Sequence, residues 1–144
     1  MEHIIVSACL AGVKCRYDGR SAWRGKLMAQ FSHHQLILLC PEVLGELPIP
    51  REESFFQRGD GEAVIKGRAG LISTAGEDRT DKFILGAKRA LKLAKLLRVK
   101  TAYLKEKSPS CGVNKVYIEG RLTQGKGVTA YLLQSNGIEI IGVD

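Results

Sequence analysis

The chain has 144 residues, enough for one domain that buries roughly two-thirds of its unfolded surface, so neither a disulfide nor a metal is needed for stability alone. A hydrophobic content of 44% with 26% charged residues excludes a disordered chain, and the longest aliphatic run, Leu36 to Leu39, falls far short of the about 20 residues of a membrane span. The net charge of +7 suits an anionic partner such as a nucleotide or RNA, and equally a merely basic, soluble surface.

Along the chain, Ile4 to Ala8 is a β-branched apolar run that stops at Cys9 and enters a turn around Gly12 and Asp18-Gly19; it reads as a buried strand. The residues before it, Met1-Glu2-His3, supply no basic lead, so no signal peptide is read and a cytoplasmic location is expected. Trp23 to Phe31 has no breaker after Gly25, which predicts a short helix. Leu36 to Leu39 predicts a second strand, closed at Cys40-Pro41 because proline cannot donate to a sheet ladder. Prolines and glycines crowd residues 46–68, a long loop of the kind that carries function, with Ala63 to Ile65 as a short strand. The clearest helix runs from Asp81 to Leu97: Phe83, Ile84, Ala87, Leu91 and Ala94 recur at helical spacing, and Asp78 or Thr80 caps its start. Lys88, Arg89, Lys92 and Lys95 then form a solvated face. Thr101 to Leu104 predicts a third strand, running into Lys105-Glu106-Lys107 and the loop Ser108-Pro109-Ser110-Cys111-Gly112. A hairpin turning at Glu119-Gly120 joins Val116–Ile118 to Leu122, a helix over Val128–Gln134 stops at Asn136-Gly137, and Ile138–Val143 is a last strand. Strands alternating with helices predict an α/β fold: a single three-layer sandwich over 1–144 with a mainly parallel sheet of roughly four to five strands.

Four cysteines, Cys9, Cys15, Cys40 and Cys111, in a chain read as cytoplasmic point to metal binding or catalysis rather than disulfides. Cys9, Cys40 and Cys111 each follow a predicted strand, and in open α/β sheets ligands bind beyond the carboxyl ends of the strands. Packing as a small hydrophobe accounts for one such cysteine; three, each followed by Pro, Gly or a polar turn, point to a site. No Cys-x-x-Cys pair suggests zinc, and His3, His33 and His34 read as surface residues, so thiolates alone suit an iron–sulfur cluster. Glu42, two residues after Cys40, is the candidate base for delivering water, although a carboxylate there also caps turns. Ser108 and Ser110 place hydroxyls beside Cys111, while Arg16, Tyr17 and Asp18 follow Cys15. Gly125-Lys126-Gly127, ahead of a helix, offers backbone N–H groups to an anion.

The segments Cys9-Leu10-Ala11-Gly12-Val13-Lys14-Cys15-Arg16-Tyr17-Asp18-Gly19, Cys40-Pro41-Glu42-Val43-Leu44-Gly45 and Ser108-Pro109-Ser110-Cys111-Gly112 resemble the thiouracil desulfidases, formerly a bacterial family of unknown function. The resemblance extends over nearly the whole chain, through Gly127-Val128-Thr129-Ala130 and Asn136-Gly137-Ile138. It implies a [4Fe-4S] cluster held by three cysteines with one iron open to a thiocarbonyl sulfur, water attack on the carbon, and release of sulfide without net redox change. Carried onto this chain, Cys9, Cys40 and Cys111 are the cluster ligands. Cys15 either replaces Cys40 among them or acts as an acid or sulfur acceptor. Glu42 is the base, and Ser108, with Ser110 as second choice, holds the substrate or the leaving sulfide. The implied partner is a thiolated pyrimidine base or nucleoside, or a thiolated tRNA base, with no membrane. Glu46 and Glu52 to Phe56 depart from the family pattern where substrate contact would matter. The competing reading is a metal- or cluster-containing RNA- or nucleotide-binding protein without turnover.

Overall fold

The structure is a computed structural model and describes residues 2–144. The elements in chain order are β1 (His3–Ser7), a 3-10 turn (Ala8–Ala11), α1 (Gly25–Ala29), β2 (Gln35–Leu39), α2 (Pro41–Leu44), β3 (Ser54–Gln57), α3 (Gly61–Ile65), β4 (Gly70–Ser73), α4 (Thr80–Leu96), β5 (Thr101–Lys105), β6 (Lys115–Ile118), β7 (Arg121–Gln124), α5 (Val128–Ser135) and β8 (Glu139–Val143).

Strands β2-β1-β5-β8 form one sheet in that order, and every pairing in it is parallel. Side chains on β1 alternate between its two faces, as strand geometry requires. Ile5 joins Ala102, Leu104, Ala90, Ala94 and Leu133 beneath α4 and α5. Ile4 and Val6 join Leu10 and Phe31 on the side of α1. This is the α/β sandwich with a mainly parallel sheet that the sequence predicts. A second sheet, β4-β3-β6-β7, is mixed and packs Phe56, Leu71 and Val116 against Phe83, Ala87 and Val128.

The second sheet departs from the sequence-based expectation of four to five strands, because β3 lies where a loop is read and β4 where no element is predicted. The strand expected at Ala63–Ile65 is instead part of α3. Asp60 decides this locally: its carboxylate accepts the Ala63 N–H, capping a helix that a β-branched pair alone would not specify. The other local signals act as expected. Pro41 opens α2 at a position where no N–H is required. Asp78 accepts the Thr80 N–H at the start of α4, and Glu119-Gly120 turn the hairpin with both residues at positive φ. Lys88, Arg89, Lys92 and Lys95 are exposed, as are His33 and His34.

The segment Gly125-Lys126-Gly127 does not present free N–H groups to an anion. Lys126 N–H bonds to Asp60, Gly127 N–H to the Gly112 carbonyl, Val128 N–H to Pro109, and Thr129 N–H to Ser110. The start of α5 is spent on holding the 108–112 loop in place. Gly127 is there because a Cβ would collide with the backbone of Ser110.

Candidate active site

In the parallel sheet the chain leaves β1 for β2 on one side and later returns to β5 on the other. The crevice beyond the carboxyl ends of β1 and β5 is therefore a topological switch point, where such sheets bind ligands. A cavity of about 370 Å³ lies there, and Cys9, Cys15, Cys40, Cys111, Glu42 and Ser110 all line it. Cys9 comes from the 3-10 turn after β1, Cys40 from the junction of β2 and α2, and Cys111 from the loop after β5. The three strand-end cysteines thus reach one cavity, and Cys15 reaches it as well. Among the described residues, no three of His, Cys, Asp and Glu close around the position of a single metal ion. The thiols are instead distributed around the cavity, and no disulfide joins them.

Cys9, Cys15 and Cys111 are buried, and Cys40 is partly exposed. Burial pushes the Cys9 thiol up, with neighbouring Cys40 adding to the effect while Arg16 and Lys105 oppose it. Burial likewise pushes Cys111 up to about 12, partly offset by hydrogen bonds from Ser7 and Ser110. Cys15 and Cys40 form a pair. Hydrogen bonding with Cys15 draws the Cys40 thiol below its ordinary range against the cost of burial, with help from the Val43 N–H, and Cys40 Sγ lies 3.7 Å from the Cys15 carbonyl. The same hydrogen bonding with Cys40, and then burial, keeps Cys15 protonated well above the ordinary thiol range.

Glu42 sits in the first turn of α2, which is seated on α4 through two glycines. A Cβ at Gly86 would strike the Pro41 carbonyl, and one at Gly45 would strike the Lys82 carbonyl, so the helices touch backbone to backbone. The Glu42 carboxylate faces two partners. Its Oε1 accepts from Arg51 Nε at 2.9 Å, and its Oε2 accepts from Ser110 Oγ at 3.3 Å. The Ser110 hydroxyl is also 3.0 Å from Ser108 Oγ and 3.7 Å from Cys111 Sγ. Ser108 Oγ accepts the N–H groups of Ser110 and Cys111, so it closes the turn that presents them. Of the two serines, Ser110 is therefore the one in contact with both the carboxylate and a thiol.

Two residues of this site carry no signal in the sequence. Arg51 lies in the Pro-rich segment read only as loop, yet its side chain is 2% exposed and paired with Glu42. Its Nη2 donates to the Cys15 carbonyl and its Nη1 to the Pro48 carbonyl. Glu106, within the Lys-Glu-Lys turn after β5, is buried and accepts from Val113 N, Asn114 N and Asn114 Nδ2. Burial alone would raise its carboxyl, but the hydrogen bonds from Asn114, Val113 and Lys115 outweigh that and hold it below the usual range. Toward the mouth, Arg16, Tyr17, Lys105 and Tyr117 line the same cavity, and the Arg16 guanidinium lies over the Tyr17 ring at 5.7 Å.

No helix among the described residues is long and apolar enough to cross a membrane. The chain is 38% identical over 141 residues to the uncharacterized protein YbbK of Bacillus subtilis (strain 168), covering 96% of this chain and 93% of that protein. It is also similar to the solved structure of a [4Fe-4S]-dependent thiouracil desulfidase, TudS. That match has a TM-score of 0.83 at 37% identity, over 99% of this chain and 91% of the other. The model of the 2-thiouracil desulfurase family matches residues 4–144, and with near-full-length agreement in sequence and fold, the chain belongs to that family.

Proposed function

We propose that this protein is a desulfidase that removes sulfur from a thiolated pyrimidine base or nucleoside by hydrolysis, with a [4Fe-4S] cluster held by Cys9, Cys40 and Cys111. The observation that carries the reading is that one cavity collects these three strand-end thiols together with Glu42 and Ser110. Cys9, Cys40 and Cys111, which line one cavity, would hold the cluster. The soft, all-sulfur donor set suits iron and sulfide. When bound, the cluster supplies an open Lewis-acidic iron with affinity for thiocarbonyl sulfur, which makes the adjacent carbon a better electrophile.

The chain's own residues handle the water and its protons. Glu42, fixed from one side by Arg51, takes a proton from the attacking water at Oε2. Ser110, between Glu42 and Cys111, passes a proton toward the departing sulfur, and Ser108 holds the loop that aims it. The thiocarbonyl and one water become a carbonyl and hydrogen sulfide, with no electron gained or lost. Cys15, on the same cavity beside Cys40, is the alternative third ligand. Arg16, Tyr17, Lys105 and Tyr117 give the pyrimidine a polar and aromatic mouth to enter.

A nucleotide-binding protein without turnover has no use for a half-buried carboxylate connected to hydroxyls at the thiol rim. The substitution Glu42→Gln separates the two readings. It retains the cluster, measured as iron and acid-labile sulfide per chain, and lowers kcat for thiouracil at least about 100-fold. Unchanged turnover would remove Glu42 from the mechanism.

A further inference from the structure

Arg51 is a buried cation lining the cavity, and the reading above gives it no part beyond holding one side of Glu42. Its guanidinium bonds to three different segments: Nε to Glu42 Oε1 at 2.9 Å, Nη2 to the Cys15 carbonyl at 2.9 Å and Nη1 to the Pro48 carbonyl at 3.0 Å. Its own N–H bonds to the Tyr17 carbonyl at 2.9 Å.

Arginine usually meets a carboxylate with two parallel N–H groups, which occupies both oxygens. Here that fork is split. One N–H takes a single oxygen of Glu42, and the neighbouring nitrogen takes a backbone carbonyl 36 residues away in the chain. The split leaves Oε2 as the oxygen that faces Ser110 and the cavity. A buried ion pair is weak evidence for stability, since apolar side chains of similar volume often serve as well, so its placement needs another reason. Lysine offers a point charge and cannot span two acceptors fixed at the edge of a planar group.

We infer that Arg51 is a positioning residue for desulfidation: its split fork pins Glu42 through Oε1, presents Oε2 to the reacting atoms, and ties that carboxylate to the segment carrying Cys15. The inference rests on the proposed desulfidase reading. It predicts a defect in the chemical step with the cluster and substrate binding intact, because a small misplacement of a reacting group slows turnover far more than it weakens binding.

The test uses full-length protein purified without oxygen, in wild-type, R51K, R51Q and R51A forms. Iron, acid-labile sulfide and the visible cluster absorption are measured first, then kcat and KM for thiouracil per cluster. The expected result is near wild-type cluster content in R51K and R51Q, kcat lower by about 100-fold in both, and KM changed by less than about threefold. Added guanidinium restores part of the R51A rate. Wild-type kcat per cluster in R51K would overturn the inference, since a point charge would then suffice. Activity lost only in proportion to cluster would also overturn it, as a purely structural role predicts. Absence of sulfide release from the cluster-loaded wild type is a separate outcome, which defeats the desulfidase reading itself and this inference with it.

Discussion

Glu106→Ala tests how the loop carrying Ser108, Ser110 and Cys111 is built. The Glu106 carboxylate accepts from Val113 N at 2.9 Å, Asn114 N at 3.0 Å and Asn114 Nδ2 at 2.7 Å. Asn114 is exposed, so water replaces much of what it loses, whereas the buried Val113 N–H is left without a partner. An orphaned buried donor costs about 1–3 kcal/mol, and bonds to a charged acceptor contribute about 1.5–3 kcal/mol before water compensates. Together these give a loss of about 3 kcal/mol, a large share of the roughly 5–15 kcal/mol that stabilises a domain. For a chain of this length the melting midpoint falls by roughly 10 °C. Glu106→Gln falls less, since its amide oxygen still accepts the Val113 N–H and only the second oxygen's bonds to exposed Asn114 are lost. The pH dependence has a definite sign. The folded carboxyl lies below its unfolded value, so its stabilisation is complete above the unfolded value of roughly 4.3 and is lost as pH falls through the folded one. The gap between wild type and Glu106→Ala therefore closes on acidification. Circular dichroism melts of anaerobically prepared protein between about pH 3 and 8 read all of this, and a midpoint within about 2 °C of wild type at neutral pH would refute the reasoning.

The cysteine set is tested by iron content: Cys9→Ser, Cys40→Ser and Cys111→Ser lose the cluster, whereas Cys15→Ser keeps most of it. Gly86→Ala drives a methyl into the Pro41 carbonyl and costs about 1–3 kcal/mol; a melt within error of wild type would show that α2 can retreat without strain. Ser110→Ala lowers kcat more than Ser108→Ala, because only the Ser110 hydroxyl contacts both Glu42 and Cys111. Steady-state rates per cluster decide that order.

The parallel sheet is legible because its strands read as short, largely apolar runs: Ile4–Val6 buried on both faces, Leu36–Leu39 on the edge with Leu38 exposed, and Thr101–Leu104. A cysteine follows each run at or soon after the strand's end, which is why Cys9, Cys40 and Cys111 stand out in sequence. The second sheet is harder to see. Ser54–Gln57 is four residues long, is flanked by Glu52-Glu53 and Arg58-Gly59, and makes a single paired position with β6. Ala63-Val64-Ile65 looks like strand by residue type, and only the Asp60 cap, three residues upstream, makes it helix. Arg51 and Glu106 are invisible for a different reason. A charge in a loop is ordinarily solvated, and only the assembled fold reveals that Arg51 is enclosed by carbonyls and Glu106 by N–H groups. The family resemblance puts Ser108 ahead of Ser110, whereas the contacts favour Ser110.

The central claim is that thiols from three strand ends share one cofactor and that the cavity they line releases sulfur from a pyrimidine. Purification without oxygen, followed by iron and sulfide analysis and incubation with thiouracil and thiouridine, tests it most directly. The account predicts a coloured protein with about four iron and four labile sulfide per chain that liberates sulfide from at least one of the two compounds. A colourless protein with stoichiometric zinc, or a fully loaded one that leaves both compounds unchanged, would contradict it.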